Sequence, residues 1–382
     1  MSNAYIIGVG QTQFGRFPDR TVESLALEAV LAAMDDAGIS WEQVEQLYGA
    51  HVNQGVAAGQ RTIKFLGPSG IPVLNVENCS AAASTAMREA SLAVRSGEFD
   101  LVMVVGFEKM DHGLLLNVHP EDSPEVCMGT TVLPMRFALM GKKHAELYGT
   151  TDRQFAEVSV KNHDHAIHNP KAQYPKAVSN EQVLTSRMIC DPITVLQCSP
   201  TTDGAAAAVV CSHKFIGNHG KEARAVKMRA SGLVSDTEEL AHNKFGLEMV
   251  ERNAANVYER AEMGPEDLDV VETHDCFTVA EIIAYEALGL CEKGMGGPMV
   301  ERGETRVGGR IPVNPSGGLL AKGHPLGATG LGQINEIVTQ LRGEAGARQV
   351  EGACLGLTSN MGMWSSCIHI LEGPSGAHKS ST

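Results

Sequence analysis

Asn75-Val76-Glu77-Asn78-Cys79-Ser80-Ala81-Ala82-Ala83-Ser84 runs from a strand-like approach, through a cysteine, into small residues that open a helix. Apolar positions at i, i+3 and i+4 across 82–94 predict an amphipathic helix, and the β-branched run at 101–105 predicts a buried strand behind it. The same alternation extends in both directions. Runs at 5–9, 206–210, Val270–Glu272 and 367–371 read as strands apolar on both faces, with helical patterns at Val22–Ala37 and 280–287. The expected fold class is therefore α/β, with helices covering a mostly parallel or mixed sheet.

The middle of the chain breaks the pattern. From about 111 to 200 it is rich in Met, His, Pro and charge and lacks strand periodicity. This predicts an insertion covering one face of the core, where substrate-shaping loops tend to sit. The expected division is an N-terminal half at 1–112 completed by about 201–224, a covering loop domain at 113–200, and a C-terminal half at 225–382. No internal repeat is strong enough to prove duplication. The small polar residues from 373 to 382 read as a disordered tail.

Composition excludes several classes. The 382 residues are 43% hydrophobic and 20% charged, ordinary for a globular chain long enough for two or three packed units. A formal net charge of −14 argues against a dedicated nucleic-acid binder, which would carry a basic stripe. Nine cysteines, an odd number with no CxxC pair, suggest neither a disulfide framework nor a structural zinc site and fit a reducing, cytoplasmic setting. The opening residues show no basic region followed by an apolar stretch, so no secretory signal is expected. No run reaches the roughly 18 apolar residues of a membrane span.

Three segments could carry chemistry. Cys79 at a helix N-terminus would feel the positive end of the macrodipole, which favours thiolate, and the small residues after it let a bulky thioester approach. The competing reading is a cysteine filling space at a helix start. In Glu272-Thr273-His274-Asp275-Cys276-Phe277, residues 274 and 276 would share one side of an extended loop. That offers an imidazole and a proton-carrying thiol to one pocket; the plainer reading is a capped loop with Cys276 in the core. Asn314-Pro315-Ser316-Gly317-Gly318, followed by Lys322-Gly323-His324-Pro325-Leu326-Gly327-Ala328-Thr329-Gly330, is dense in glycine and proline. It predicts close backbone approach and rigid turns, which would hold His324 in reach of a thiol to deprotonate.

Other features are plainer. His163, His165 and His168 have metal-like spacing, but nothing nearby completes a site. Gly8-Val9-Gly10 lacks the third glycine of a dinucleotide loop. Met128, Met135 and Met140 could line an acyl tunnel, though such residues are more often packing.

Together the three segments resemble the thiolase family, most closely its sterol-carrier-protein (lipid-transfer) branch. The likeness is strongest in His274-Asp275-Cys276-Phe277, Tyr285-Glu286-Ala287-Leu288-Gly289-Leu290-Cys291, 323–330 and 340–346. Lys161-Asn162-His163 with Asn169-Pro170 is similar to that branch's loop region. The resemblance implies two similar α/β halves, each with a five-stranded sheet, in a layered αβαβα arrangement with a loop domain inserted in the first half. It also implies a homodimer or higher homo-oligomer, coenzyme A thioesters as substrate and no permanently bound cofactor. Mapped onto this chain, it makes Cys79 the acyl acceptor, His324 the group that activates it, and His274 the holder of an oxyanion-hole water. The acid/base cysteine falls to Cys276. Ser359 stands where most thiolases carry that cysteine, and Cys354 is a weaker candidate.

Two departures bear on the substrate: Ser80-Ala81-Ala82-Ala83 after the nucleophile, and Met363-Trp364 interrupting a glycine run. The implied activity is formation or cleavage of 3-oxoacyl-CoA through an acyl-enzyme. The alternatives are acyl transfer to a non-CoA acceptor with a small OB-fold partner subunit, and a catalytically silent lipid-binding protein.

Overall fold

Gly8 and Gly10 explain the first packing contact of the chain. A methyl on Gly8 would stand 2.6 Å from Ala37 Cβ, and one on Gly10 2.9 Å from Ala32 Cβ. Only bare backbone lets helix α1 (Val22–Ala37) lie this close to strand β1 (Ala4–Gln11). Helix α1 is capped by the Thr21 side chain, which accepts from the Ser24 N–H, and it ends on Gly38 in the left-handed conformation. Its buried Leu25, Val30 and Met34 face the sheet, each such side chain stabilising the fold by roughly 1.5–3 kcal/mol.

The computed structural model describes residues 3–110, 124–127, 132–237 and 247–374. The expected tail from 375 onward and Met128 of the suggested tunnel lie outside them. The remaining strands of the main sheet are β2 (Gln46–Ala50), β3 (Val73–Val76), β4 (Leu101–Glu108), β5 (Gly204–Ser212), β6 (Val226–Ser235), β7 (Val270–Glu272), β8 (Leu355–Met361) and β9 (Ser365–Glu372). Their order is β3-β2-β4-β5-β1-β6-β9-β8-β7, a mixed sheet in which β2 pairs in parallel with β3 and β4, and β7 with β8. The other pairings are antiparallel.

The order repeats. In the first five strands the spatial sequence is third, second, fourth, fifth, first. The later strands follow the same scheme, with a single parallel bridge from Val271 to Val313 in the place of the third strand. Among the described residues the second half thus has four strands and a bridge where the resemblance implied five. The halves meet through β1 and β6 at Tyr5–Lys227 and Ile6–Val226.

Helices α2 (Ala82–Ser96) and α7 (Thr329–Leu341) lie against each other, and each also touches strands of both halves. They form the central layer, and their apolar faces merge into one core with the sheet. Helix α1 covers the outer face of the first half and α5 (Glu248–Ala261) that of the second. The result is the layered α/β architecture.

The irregular-looking middle segment holds two long helices, α3 (Leu133–Tyr148) and α4 (Asp152–Ala166), followed by a short hairpin of Met188–Cys190 and Ile193–Thr194. Helices α3 and α4 pack on α6 (Thr278–Ala287), and α4 also meets the π-helical turn Gly318–Lys322. The segment therefore sits over the strand and turns that carry His274 and His324. Met140 is buried in this core with Phe137 and Phe155, as ordinary packing. Among the described residues, no helix is long and apolar enough to cross a membrane.

Candidate active site

Two turns, 244 residues apart, meet where α2 and α7 begin. The first is the Cys79–Ser80 elbow between β3 and α2. Cys79 takes a left-handed backbone with φ +48°, unfavourable for a residue with a Cβ, and its N–H donates to Glu77 Oε1 at 2.7 Å. The second is the Gly323–Ala328 turn carrying His324.

Glycine makes the meeting possible. A methyl on Gly327 would stand 2.6 Å from His51 Cα and from the Phe107 carbonyl oxygen. One on Gly330 would overlap Ser84 Oγ and stand 2.7 Å from the Ser84 backbone nitrogen. The buried Glu108 carboxylate ties the loops together, accepting from Val52 N–H at 2.9 Å, Asn53 N–H at 3.0 Å and Gly327 N–H at 3.0 Å.

His324 is 3% exposed, and both its ring nitrogens are engaged. Nδ1 lies 2.7 Å from Thr329 Oγ1, whose own proton goes to the Pro325 carbonyl at 2.9 Å. Thr329 therefore accepts, His324 carries its proton on Nδ1, and the Nε2 lone pair is left free to act as a base. That lone pair points at Ser80 Oγ, 3.3 Å away. The His324 backbone N–H donates to Thr202 Oγ1 at 3.0 Å, which fixes the turn.

His274 stands beside it, the two rings edge-to-face with centroids 5.1 Å apart. Burial lowers both basicities: His274 is held down to about 3, and His324 well below the usual histidine range, with the neighbouring His274 adding to the effect. Both are neutral imidazoles at neutral pH. His274 Nδ1 is buried without a hydrogen-bond partner among the described residues, and the Asn360 amide lies on its other side.

Burial pushes the Cys79 thiol above the ordinary value, outweighing the Ser80 and Met363 backbone groups and the Ser80 hydroxyl that favour the anion. Cys79 is not the group that His324 hydrogen-bonds: the left-handed turn at Cys79 delivers the next side chain, Ser80, to the imidazole. The elbow residue and the residue facing the base are neighbours rather than one and the same.

Cys276 is buried beside Cys198 and Phe277, and its carbonyl accepts from Ser199 N–H at 2.9 Å. Burial, with the Asp275 charge, pushes its thiol far up, so it stays protonated. Cys354 immediately precedes β8, whose other end leads to Met363 beside Cys79; seven residues at about 3.4 Å each put the length of the strand, roughly 24 Å, between Cys354 and that end. Ser359 is buried mid-strand, and its carbonyl accepts from the Gln333 amide. Trp364 is 48% exposed, so its ring stands largely outside the site.

Beneath the site a buried polar network joins the His274–Cys276 segment to the His324 turn. Asp275 accepts from Leu319 N–H at 2.7 Å, Leu320 N–H at 3.2 Å and Asn162 Nδ2 at 2.8 Å. Glu281 pairs with fully buried Lys161 and accepts from Asn162 at 2.6 Å, Asn314 at 2.9 Å and the Tyr285 hydroxyl. Glu272 accepts from Ser316 Oγ at 2.8 Å and faces Lys322 at 3.4 Å. His165, whose metal-like spacing lacks a completing ligand in the sequence, is part of this framework: Nδ1 donates to the Asn314 carbonyl at 3.0 Å and Nε2 accepts from Val307 N–H at 3.1 Å.

Sequence reasoning missed Ser80, Thr329 and Thr202. The signal for Thr329 lay five residues after His324, on the helix that the turn enters. Ser80 was visible only as a departure from the family pattern.

A family model described as the N-terminal domain of thiolase matches residues 4–214, and a thiolase C-terminal domain-like model matches 232–373. Sterol carrier protein 2 from Bos taurus is 42% identical over 95% of this chain and 70% of its own length. An acetyl-CoA acetyltransferase from Methanothermobacter thermautotrophicus is 42% identical over 95% of this chain and 97% of its own. Among solved structures, an Ltp2-ChsH2(DUF35) aldolase superposes with a TM-score of 0.84 at 24% identity, covering 98% of each chain. An acetyl-CoA acetyltransferase from Syntrophomonas wolfei does so with a TM-score of 0.75 at 19% identity, covering 97% of this chain and 99% of its own. At those identities the two structures speak to the fold alone.

Proposed function

The chain belongs to the thiolase family, and on that premise we propose that it moves acyl groups between coenzyme A thioesters through a covalent acyl-enzyme on Cys79, at the 79–80 elbow. The observation that carries the reading is the neutral, proton-poor Nε2 of His324, held by Thr329 and aimed at that elbow beside His274. An imidazole whose tautomer is fixed by a third group is how an acyl acceptor is activated.

In the degradative direction the acceptor attacks the 3-keto carbon of a 3-oxoacyl-CoA. The C2–C3 bond breaks, and the enolate takes a proton at C2 from the Cys276 thiol, which burial keeps protonated. Free CoA then gives its thiol proton to the Cys276 thiolate and attacks the acyl-enzyme; the shortened thioester leaves, and the acceptor recovers from His324 the proton that it gave up on attack. His274 stabilises the developing oxyanion through a water or directly, with the elbow N–H groups as further donors. Coenzyme A enters as substrate. The homodimer belongs to the same proposal, and the exposed Val56, Phe65 and Leu74 around the β3 edge are the surface it would cover.

The test is isotope exchange. Labelled CoA is mixed with unlabelled acetyl-CoA and a panel of longer acyl-CoAs and 3-oxoacyl-CoAs, without a second acceptor. The proposal requires label to enter an acyl-CoA, and His324→Ala to slow that entry at least 100-fold. No exchange with any donor would remove the acyl-enzyme reading and turn attention to the lipid-binding alternative.

A further inference from the structure

The Cys276 thiol is placed by its backbone, and two of the groups that hold that backbone come from the middle segment. Ser199 N–H donates to the Cys276 carbonyl at 2.9 Å, next to the bridge that pairs Cys198 with Phe277. On the other side stands Asp275, whose carboxylate is fixed by Leu319 and Leu320 N–H of the π-helical turn and by the Asn162 amide of α4.

Asn162 is fully buried, and both hydrogens of its amide go to carboxylates: one to Asp275 Oδ2 at 2.8 Å, the other to Glu281 Oε2 at 2.6 Å. Its own oxygen has no hydrogen-bond partner among the described residues. A buried acceptor left open is a cost, so the side chain is placed for its donors. Turned over, the amide would set that oxygen against both acids. An amide donates twice without adding charge, which lets Asp275 lie beside Glu281 while the buried cation, Lys161, pairs with Glu281. Glu281 Oε2 also accepts from Asn314 Nδ2 at 2.9 Å, and Asn314 Oδ1 accepts from Thr273 N–H at 2.8 Å. The stretch from Thr273 to Asp275 is thus clamped at both ends, and both clamps close on one carboxylate oxygen.

We propose that Asn162 is a positioning residue for the acid/base step. Through Asp275 it sets where the Cys276 thiol stands relative to the carbon that it protonates, so the middle segment builds part of the site as well as covering it. The proposal rests on the reading above in which Cys276 serves the leaving enolate. The S–H bond breaks as the C2–H bond forms, and the incoming CoA thiol returns a proton to the thiolate. Such a transfer needs hydrogen-bond reach, and a displacement of about 1 Å costs on the order of 100-fold in rate. Asn162→Ala removes one of the three donors to Asp275 and leaves its carboxylate facing Glu281 with no amide between them, which shifts the residue before Cys276. His274 keeps its own neighbours, the Asn360 amide and the His324 ring.

The experiment measures thiolysis of acetoacetyl-CoA, or of 3-oxooctanoyl-CoA where that is cleaved faster, and CoA exchange with acetyl-CoA on the same full-length chains. Asn162→Ala should lower kcat for thiolysis roughly 10–100-fold with KM within about 2-fold, and slow CoA exchange far less. In a Cys276→Ala background it should cost no further thiolysis, because the thiol that it places is gone. Ser159→Ala is the control: it removes the 2.6 Å hydrogen bond from the Ser159 hydroxyl to the Leu196 carbonyl, on the same helix, and should leave kcat unchanged. Asn162→Ser, with one donor on a shorter side chain, carries the same comparison where the alanine variant does not fold. An unchanged kcat for Asn162→Ala, a loss confined to KM, the same loss in Ser159→Ala, or an equal further loss in the Cys276→Ala background would overturn the proposal and leave the acyl-transfer reading standing. A wild-type chain that neither cleaves a 3-oxoacyl-CoA nor exchanges CoA overturns both.

Discussion

Gly330→Ala tests whether the two central helices hold the catalytic turns in register. Gly330 lies in the first turn of α7, five residues before which stands His324; its neighbour Ser84 lies one turn into α2, just after Ser80. The new methyl would overlap Ser84 Oγ and stand 2.7 Å from the Ser84 nitrogen, where ordinary contact begins at 3.4 Å. The hydroxyl can rotate away but the backbone cannot, so the helices must part by about 0.7 Å. Overpacking of this kind destabilises by about 1–3 kcal/mol, partly offset by the roughly 1 kcal/mol helix-propensity gain of Ala over Gly. A net loss of about 1 kcal/mol, at a urea slope of about 3 kcal/mol/M, lowers the midpoint by about 0.3 M. Carried to the site, the same displacement would stretch the 3.3 Å Ser80–His324 contact past hydrogen-bond range and slow CoA exchange roughly 10–100-fold. Urea titration followed by fluorescence, with exchange rates on the same samples, reads both. Ser84→Ala alone should be nearly neutral, because Ser84 Oγ has no hydrogen-bond partner among the described residues. Combined with Gly330→Ala it should restore only part of the loss, since the backbone clash persists. An unchanged midpoint and rate for Gly330→Ala would refute the close crossing and its role in aligning the site.

Other variants and conditions probe the remaining parts of the account. Lys161→Met leaves Glu281 charged and without its cation in a dry interior, and should lose about 3–5 kcal/mol by urea titration; Lys161→Met with Glu281→Gln should recover much of it, and an equal or larger loss in the double variant would contradict the pairing. Asp275 is pushed up to about 8 from an ordinary 3.8 by burial, with the Glu281 charge adding to it. The folded chain therefore holds more protons than the unfolded chain between those values, and this contribution to stability falls as pH rises across the window. Asp275→Asn, which orphans one backbone donor at a loss of about 1–3 kcal/mol, should thus be most harmful near pH 5 and less so near pH 8; a penalty that grows with pH would reverse the assignment. Because burial holds His274 and His324 down, the pH profile of CoA exchange should show no acid limb near the ordinary histidine value of about 6.5, and a limb there would mean that the imidazoles titrate normally. Cys276→Ala should slow C–C cleavage of a 3-oxoacyl-CoA about 100-fold more than it slows CoA exchange; equal effects would assign the C2 proton elsewhere.

The alternation of apolar runs and amphipathic stretches was enough to find the α/β architecture, and it located Val22–Ala37 and Val270–Glu272 to the residue. It failed where burial and polarity part company. Strand β8 carries Thr358, Ser359 and Asn360 fully inside the sheet, a composition that reads as loop because its partners are invisible in one dimension. Strand β6 alternates buried and half-buried positions with Lys227 and Arg229 among them, which masks its apolar face. The insertion looked irregular because its helices α3 and α4 bury His and Lys in the ion-pair network instead of presenting a plain apolar stripe. At the site, the three chemical segments were legible, and the structure brings His274 and His324 together. What the sequence could not convey was direction. Whether His324 meets residue 79 or 80 depends on one positive φ and on a contact spanning 244 positions.

The most direct test of covalent acyl transfer is intact-mass spectrometry of the full chain after brief incubation with acetyl-CoA and a panel of 3-oxoacyl-CoAs, beside His324→Ala. The account predicts one acyl mass on the wild type, discharged by free CoA, and at most a trace on the variant. An unmodified wild-type chain with every donor, or equal acylation of the variant, would contradict it.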